Sequence, residues 1–314
     1  MFRWCQKEPS FHGRKSISLR CLCGNARSAN PITYKQDINT CRNTPMSKKT
    51  IKDYRQQFID QGYAIVENVL TPKEAKKGIP ILLDKIRPES PESYAHIWGT
   101  RRQLKTPQHG IPRIARFATH PKLLEVISNM IDGPFRLSAE PIPVVTFPGK
   151  VCGNLKSGNW RGHTDGFSNT PFLEREGSFA NAWLAFADIE PSGGAMTAIP
   201  SSHYLIEKAI TEPKFRAEKE KNNVYTAGSN LEGLDWNPEE IVLKAGGVFF
   251  YDGQVIHSAS DNMMQQPRLV CLYNFTQKGD REKEVNARQT IHERFNSEHL
   301  KMMDDQMKQL VGLV

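Results

Sequence analysis

From about residue 135 onward the sequence alternates short strand-like runs with turns, and this texture limits the folds open to the chain more than any other feature. Glycine and proline mark many of the turns. The predicted strands lie at 135–147, 160–167, 180–189, 195–200, 240–244, 247–252, 254–259 and 268–276. Many short strands separated by such turns indicate a β-sandwich or a barrel. We therefore expect a mainly β core, and no internal repeat accompanies it.

Helices are predicted before and after this core in the sequence. Ile51, Tyr54 and Phe58 recur at helical spacing and predict a helix that ends near Gly62. A strand over 63–69 follows, and Thr71-Pro72-Lys73-Glu74 has the residue order of a helix start. Further helices are predicted over about 121–131, closed by Gly133, and over about 290–310, and residues 211–239 read as a long polar insertion. The predicted fold class is mainly β with flanking helices, in one domain over 47–314.

Most of the net positive charge lies near the N-terminus. The sequence carries +8 at neutral pH. Residues 1–45 hold eight Lys or Arg against two acids, which is +6 and leaves +2 for 46–314. A face that binds nucleic acid normally needs a dense basic patch. We therefore expect no nucleic acid partner for the folded part.

Residues 1–46 are predicted to lie outside the fold. A basic, serine-containing, acid-poor leader is typical of mitochondrial transit peptides, and a disordered extension upstream of a second start at Met46 explains the segment equally well. The predicted location is mitochondrial or cytoplasmic, and Val311 to Val314 is not a peroxisomal signal. No apolar run approaches the ~18 residues that a membrane helix needs, so no membrane partner is expected.

His163-Thr164-Asp165 is the first candidate for chemistry. Alternate side chains of a strand share a face, so His163 and Asp165 would point the same way and could chelate one ion. A distant histidine would complete a set of two imidazoles and one carboxylate, which suits iron(II). The plain alternative is a surface histidine that stands near an aspartate by chance.

His257 and Arg268 supply the distal part of the pattern. His257 ends the apolar run after Asp252-Gly253, and Arg268 opens the run 269–275. A buried arginine is costly unless a carboxylate meets it, and its guanidinium can hold a bound dicarboxylate in a bidentate way. Taken singly, His257 could be a core histidine and Arg268 could pair with Asp261. One metal site beside a dicarboxylate explains all these residues together.

Over most of residues 50–280 the chain resembles the phytanoyl-CoA dioxygenase family of Fe(II)/2-oxoglutarate-dependent oxygenases. Besides His163, Asp165, His257 and Arg268, the resemblance rests on FIDQGYAIV at 58–66, LTPKE at 70–74, NAWLAFAD at 181–188 and SGGAMTAIPSSH at 192–203. The resemblance implies a double-stranded β-helix, the cupin-like jelly roll. It also implies iron ligation by His163, Asp165 and His257, and a salt bridge from Arg268 to the distal carboxylate of 2-oxoglutarate.

Trp183 matches an aromatic residue that lines the cosubstrate site in the family. Asn181, Trp183, Ala185 and Ala187 would share one strand face, where small side chains beside a tryptophan leave room for a ligand. Trp183 could also be an ordinary core residue.

The activity that the resemblance implies is hydroxylation of an unactivated C–H bond in a small molecule. It would use Fe(II), 2-oxoglutarate and O2, release succinate and CO2, and leave ascorbate open as an accessory. A basic stretch upstream of the core comprises Arg101, Arg102, Lys105, Arg113 and Arg116. It favours an anionic substrate such as an acyl-CoA, although it could also be a solvated face. A cupin-like metal hydrolase or isomerase, or a catalytically silent binding protein on the same fold, remain the alternatives. The oligomeric state is not indicated.

The sequence departs from the family pattern in two places. Ser201 stands where the family turn has glycine, which predicts a different backbone for that turn. Ala259 stands where some members carry a hydroxyl, a role that Ser258 or Ser260 could take. Asp165 is retained, which disfavours the halogenating variant that lacks this carboxylate.

Overall fold

The computed structural model describes residues 51–85, 96–98, 113–138, 141–149, 160–165, 177, 179–211, 224–225, 235–278 and 297–313. They belong to one compact unit. The predicted extension over 1–46 lies outside the described residues. Every strand pairing among the described residues is antiparallel.

The larger sheet contains seven of the described strands. In spatial order it contains β1 (Tyr63–Val66), β10 (Val248–Tyr251), β6 (Phe179–Ala185), β12 (Arg268–Gln277), β4 (Ile142–Thr146) and β2 (His96–Trp98), and β3 (Phe135–Leu137) also pairs with β12. Side chains alternate between the two faces of each strand. On β12, Val270 and Leu272 face one way, whereas Cys271 and Tyr273 face the other, and each set joins a different core cluster.

The smaller sheet lies against one face of the larger one. Its order is β8 (Val224–Tyr225), β5 (Gly162–His163), β11 (His257–Ala259), β7 (Met196–Ala198) and β9 (Glu239–Ile241). The core between the sheets contains Trp183 and Phe249 of the larger sheet and Met196 and Ala198 of the smaller one. Two facing antiparallel sheets with these crossovers are a double-stranded β-helix, which confirms the predicted fold class.

Helices cover the other face of the larger sheet. The described α-helices are α1 (Ile51–Gln61), α2 (Pro72–Lys76), α3 (Gly78–Lys85), α4 (Pro121–Met130), α5 (Ser202–Thr211), α6 (Ser297–Met302) and α7 (Asp305–Leu310), and a 3-10 helix covers Arg116–Thr119. Phe58, Val126 and Leu310 bring α1, α4 and α7 into one core with Leu184 and Tyr273. Because β12 is thus covered on both faces, its sequence is almost continuously apolar. Among the described residues, no helix is long and apolar enough to cross a membrane.

Local sequence signals set several of these ends. Thr71 and Glu74 form the predicted capping box of α2, in which the Thr71 side chain accepts from the Glu74 N–H and Glu74 accepts from the Thr71 N–H. Gly133 follows α4 with a φ of +76°, a left-handed conformation that glycine adopts at little cost.

Some predicted elements are shorter or divided. The run 135–147 forms β3 and β4 rather than one strand, and 254–259 becomes a strand only at His257, because the Gln254 N–H donates to Asp252 Oδ1 and holds a turn. The predicted C-terminal helix is two helices, since the Asp304 side chain caps the start of the second. In the predicted insertion, Val224 and Tyr225 pair with β5.

Candidate metal centre

Strand pairing brings the two distant histidines together. β5 and β11 are neighbours in the smaller sheet, and His163 lies directly opposite His257. Their ring centroids are 4.5 Å apart. The Asp165 N–H donates to the Gly253 carbonyl at 2.7 Å, which holds Asp165 beside the turn that leads into β11. Three side chains from two remote parts of the sequence therefore meet at one end of the β-core.

The donor atoms of this set are close enough to share one ion. One ring nitrogen of each histidine and one oxygen of Asp165 all lie within 4.8 Å of one another. His257 Nε2 is 3.8 Å from Asp165 Oδ1. Metal bonds of about 2.0–2.2 Å span roughly 4 Å between two ligand atoms, so the His257 and Asp165 atoms already fit around one ion and the full set needs to draw only slightly closer. Two imidazoles and a carboxylate are also the donor set that suits iron(II), so the residues fit the predicted metal.

A backbone hydrogen bond fixes the His257 ring. The ring is buried, and Nδ1 lies 2.8 Å from the Val255 carbonyl oxygen. A carbonyl only accepts, so Nδ1 carries a hydrogen and Nε2 is the nitrogen left for a metal. Nε2 is also the nitrogen that lies 3.8 Å from Asp165 Oδ1. Metal-binding histidines commonly donate their other N–H in this way.

The environment keeps the site's side chains in useful protonation states. Burial, with a smaller effect from His257, lowers the pKa of His163 to about 3, so its imidazole is neutral at physiological pH. Burial and the charge of Asp165 raise the pKa of Tyr251 well above its usual value. Tyr251 therefore remains a phenol that can donate a hydrogen bond.

The Asp165 carboxylate has two donors on one oxygen. Asn181 Nδ2 and the Tyr251 hydroxyl donate to Asp165 Oδ2 at 3.2 and 3.3 Å. Asn274 Nδ2 in turn donates to Asn181 Oδ1. The sequence alone predicts no role at the site for Tyr251 or Asn274. A polar side chain at an inward position of an apolar strand is nevertheless a sequence signal for a functional role.

Arg268 and Trp183 lie together in the core. Arg268 is 2% exposed, donates to the Gly194 carbonyl, and places its guanidinium carbon 5.1 Å from the Trp183 ring centroid, a distance typical of a cation–π contact. Trp183 is two residues from Asn181 on the same face of β6, so it lines the space between the sheets. Asp261, the alternative partner for Arg268, is also buried.

The structure describes both positions that depart from the family pattern. Ser201 has a φ of +59°, the left-handed conformation that glycine favours, and a backbone different from the family turn stays a prediction. Its hydroxyl donates to the Asp60 carbonyl, which helps to hold the turn. Ala259 is two residues from His257 and shares its face of β11. Ser258 and Ser260 donate their hydroxyls to the backbone carbonyls of Ala259 and Ala195.

Other predicted site residues are less central. Ala187 lies beyond the end of β6 and is only partly buried, so it does not share the strand face with Asn181. Arg101, Arg102 and Lys105 of the basic stretch lie outside the described residues. Arg113 and Arg116 are exposed, and their role in binding a substrate stays a prediction.

Solved structures of similar fold include an alpha ketoglutarate dependent enzyme. The non-heme alpha ketoglutarate dependent epimerase SnoN from nogalamycin biosynthesis is 20% identical with a TM-score of 0.51, over 72% of this chain and 82% of that chain. AviO1 from Streptomyces viridochromogenes Tue57 is 17% identical with a TM-score of 0.50, over 74% and 97%. At these identities the likeness shows the fold alone.

Sequence comparison identifies the family. None of the curated proteins matches this sequence. A family model described as phytanoyl-CoA dioxygenase (PhyH) matches residues 58–270, more than half of the 314 residues, and its span includes all five predicted site residues. The chain belongs to the phytanoyl-CoA dioxygenase family.

Proposed function

We propose that this protein is an Fe(II)- and 2-oxoglutarate-dependent dioxygenase that hydroxylates a C–H bond of a small molecule, with release of succinate and CO2. The observation that carries the proposal is the convergence of His163, Asp165 and His257, whose donor atoms lie within 4.8 Å of one another. Family membership supports the cofactor requirement. SnoN, which shares the fold, has been solved in complex with Fe3+, alpha ketoglutarate and nogalamycin RO.

Each residue has a distinct part in the proposed reaction. Iron, 2-oxoglutarate and O2 would supply the oxidising chemistry when bound. His163, Asp165 and His257 would hold the ion. Arg268 would neutralise the distal carboxylate of 2-oxoglutarate, a task for which a planar guanidinium is suited. Trp183 excludes water from the space beside Arg268.

The alternatives explain fewer of these features. A cupin-like hydrolase or isomerase has no need of a buried guanidinium, such as that of Arg268, to bind a dicarboxylate. A catalytically silent binding protein would not need two imidazoles and a carboxylate arranged around one point. We propose an anionic substrate, such as an acyl-CoA, with the exposed Arg113 and Arg116 as candidate contacts. The proposed location is the cytoplasm or the mitochondrion.

Anaerobic spectroscopy tests the metal and cosubstrate together. Addition of Fe(II) and 2-oxoglutarate to the metal-free protein should produce a weak visible charge-transfer band, and admission of O2 should then yield succinate. His257→Ala should give neither result. The matched control His120→Ala removes a histidine remote in sequence from the site and should give both. Absence of metal binding by the unaltered protein would contradict the proposal.

Product analysis tests hydroxylation itself. Once a metabolite screen has identified a substrate, the reaction under 18O2 should place one labelled oxygen in the product and one in succinate. A product without the label, formed with stoichiometric succinate, would instead indicate a reaction such as epimerisation.

A further inference from the structure

We propose that Tyr251, Asn181 and Asn274 form a positioning row that orients the Asp165 carboxylate for metal binding. The inference rests on the proposed function, because it assigns a task to residues around the same ion. None of the three is placed as a metal ligand. Their role is to decide which way the carboxylate faces.

Strand register places these residues in one line across the larger sheet. Tyr251 of β10 lies directly opposite Asn181 of β6, and Asn181 lies directly opposite Asn274 of β12. Side chains at directly paired positions project from the same face of a sheet. The row therefore crosses the inner face, at the end of the core where Asp165 lies.

Burial makes this line of polar groups costly unless its hydrogen bonds are made. Tyr251, Asn181 and Asn274 are each at most 1% exposed, and their strand neighbours on the inner face include Trp183, Phe249 and Leu272. A buried polar group whose hydrogen bond is not made destabilises the fold, because its desolvation is not compensated. Apolar residues at these positions would avoid that cost. The row is therefore best explained by a buried acceptor that requires its hydrogen-bond donors.

Asp165 is that partner. The Tyr251 hydroxyl and Asn181 Nδ2 approach the same oxygen, Oδ2, at 3.3 and 3.2 Å. The other oxygen, Oδ1, is the one 3.8 Å from His257 Nε2. Two donors on one oxygen and the imidazole near the other leave the carboxylate a single favourable orientation.

Asn274 controls the direction of the Asn181 amide. Asn274 Nδ2 donates to Asn181 Oδ1, so the Asn181 oxygen faces Asn274 and its NH2 group faces Asp165. The reverse orientation would turn an acceptor toward a carboxylate, which is repulsive. Asn274 thus affects the ion indirectly, because it orients Asn181 and Asn181 orients Asp165.

Two near-isosteric variants test the row. In Asn274→Asp, the new carboxylate only accepts, so Asn181 must rotate to donate to it and turns its own oxygen toward Asp165. We expect 10- to 100-fold weaker Co(II) binding, the range typical for loss of groups that support metal ligands. Tyr251→Phe removes one donor but keeps the ring stacked on Phe249, and should weaken binding about tenfold.

The measurement is Co(II) titration of the full chain, with the visible Co(II) absorption spectrum recorded at saturation. Both variants should shift that spectrum, because it reports ligand geometry and does not follow overall stability. The matched control is Cys271→Ala, a buried change on the opposite face of β12. It should lower the melting temperature and leave Co(II) affinity and spectrum unchanged.

The outcomes separate this inference from the proposed function. Failure of the unaltered protein to bind Co(II) would overturn the proposed function. Tight binding by that protein, with the same affinity and spectrum in folded Tyr251→Phe, would overturn the positioning row alone. Tighter Co(II) binding by Asn274→Asp would also overturn it, since a mere added negative charge attracts the cation. If Asn274→Asp does not fold, Tyr251→Phe decides.

Discussion

His257 and Asp165 share one property: a hydrogen bond within the fold holds one polar atom of the side chain, and the other polar atom remains for the proposed ion. His257 donates through Nδ1 to the Val255 carbonyl, and Asp165 accepts at Oδ2. The identities of these ligands are predictable from the sequence, because His163, Asp165 and His257 are chemically distinctive. The sequence does not predict which atom of each ligand is hydrogen-bonded, because that depends on residues such as Asn181 that approach the ligand only in the folded structure.

Arg268→Lys tests the proposed cosubstrate contact at this scale. Lysine keeps the charge but loses the planar, bidentate donor pair and the stacking on Trp183. We expect the KM for 2-oxoglutarate to rise at least about tenfold, equal to ~1.4 kcal/mol of binding, whereas Fe(II) affinity stays the same. Arg55→Lys, at the partly exposed ion pair with Asp132, is the matched control. An unchanged KM in Arg268→Lys would remove this role.

At the scale of elements, the junction of α1 and β1 supports the segment that holds His257. The Asp252 N–H donates to the Gly62 carbonyl at 2.8 Å. Gly62 has a φ of +77°, and a Cβ there would lie 2.3 Å from Val255 Cγ2 and 2.5 Å from His203 Nδ1. Val255 also supplies the carbonyl that fixes the His257 ring, so this tight packing extends from the first helix to the proposed ligand.

Gly62→Ala should therefore affect both stability and metal binding. Gly133→Ala is its control, because Gly133 has nearly the same φ but a Cβ there would meet, among the described residues, only Gln277, at 3.7 Å. Each variant should lose about 1–2 kcal/mol through the left-handed backbone. Gly62→Ala should lose a further ~1–3 kcal/mol through overpacking and should alone weaken Fe(II) binding. Denaturant unfolding and metal titration measure the two effects, and equal losses would contradict the packing argument.

Element prediction succeeded where a local signal sets the structure and failed where a distant contact does. The cap at Thr71 and the stop at Gly133 are local, and both lie where expected. The segment before His257 reads as a strand because it is apolar, yet Asp252 holds it in a turn against Gly62. The pairing of Val224 and Tyr225 with β5 depends on sheet order, which residues 211–239 do not encode locally.

At the scale of the whole molecule, the proposed ion would connect two strands that are remote in sequence and would involve both β-sheets. β5 and β11 are adjacent in the smaller sheet, whereas Asp165 also bonds to β6 and β10 of the larger one. A ligand that binds only this folded arrangement must stabilise it.

Metal loading should accordingly raise the melting temperature. At an ion concentration 100 times its Kd, binding adds about 2.7 kcal/mol to the free energy of unfolding. Thermal unfolding with and without Fe(II) under anaerobic conditions measures this gain, and a chelator should reverse it. His257→Ala should show no gain. An equal increase in that variant would mean that the ion binds elsewhere.

The pairing of His163 with His257 also has a consequence for synthesis in the cell. Roughly 90 residues separate these partners, so at about 5–20 residues per second a ribosome releases the first imidazole some 5–20 s before the second. During that interval the nascent chain offers an incoming cation only an incomplete set of donors. The complete set of donors for the proposed ion therefore exists only after both histidines have been synthesised.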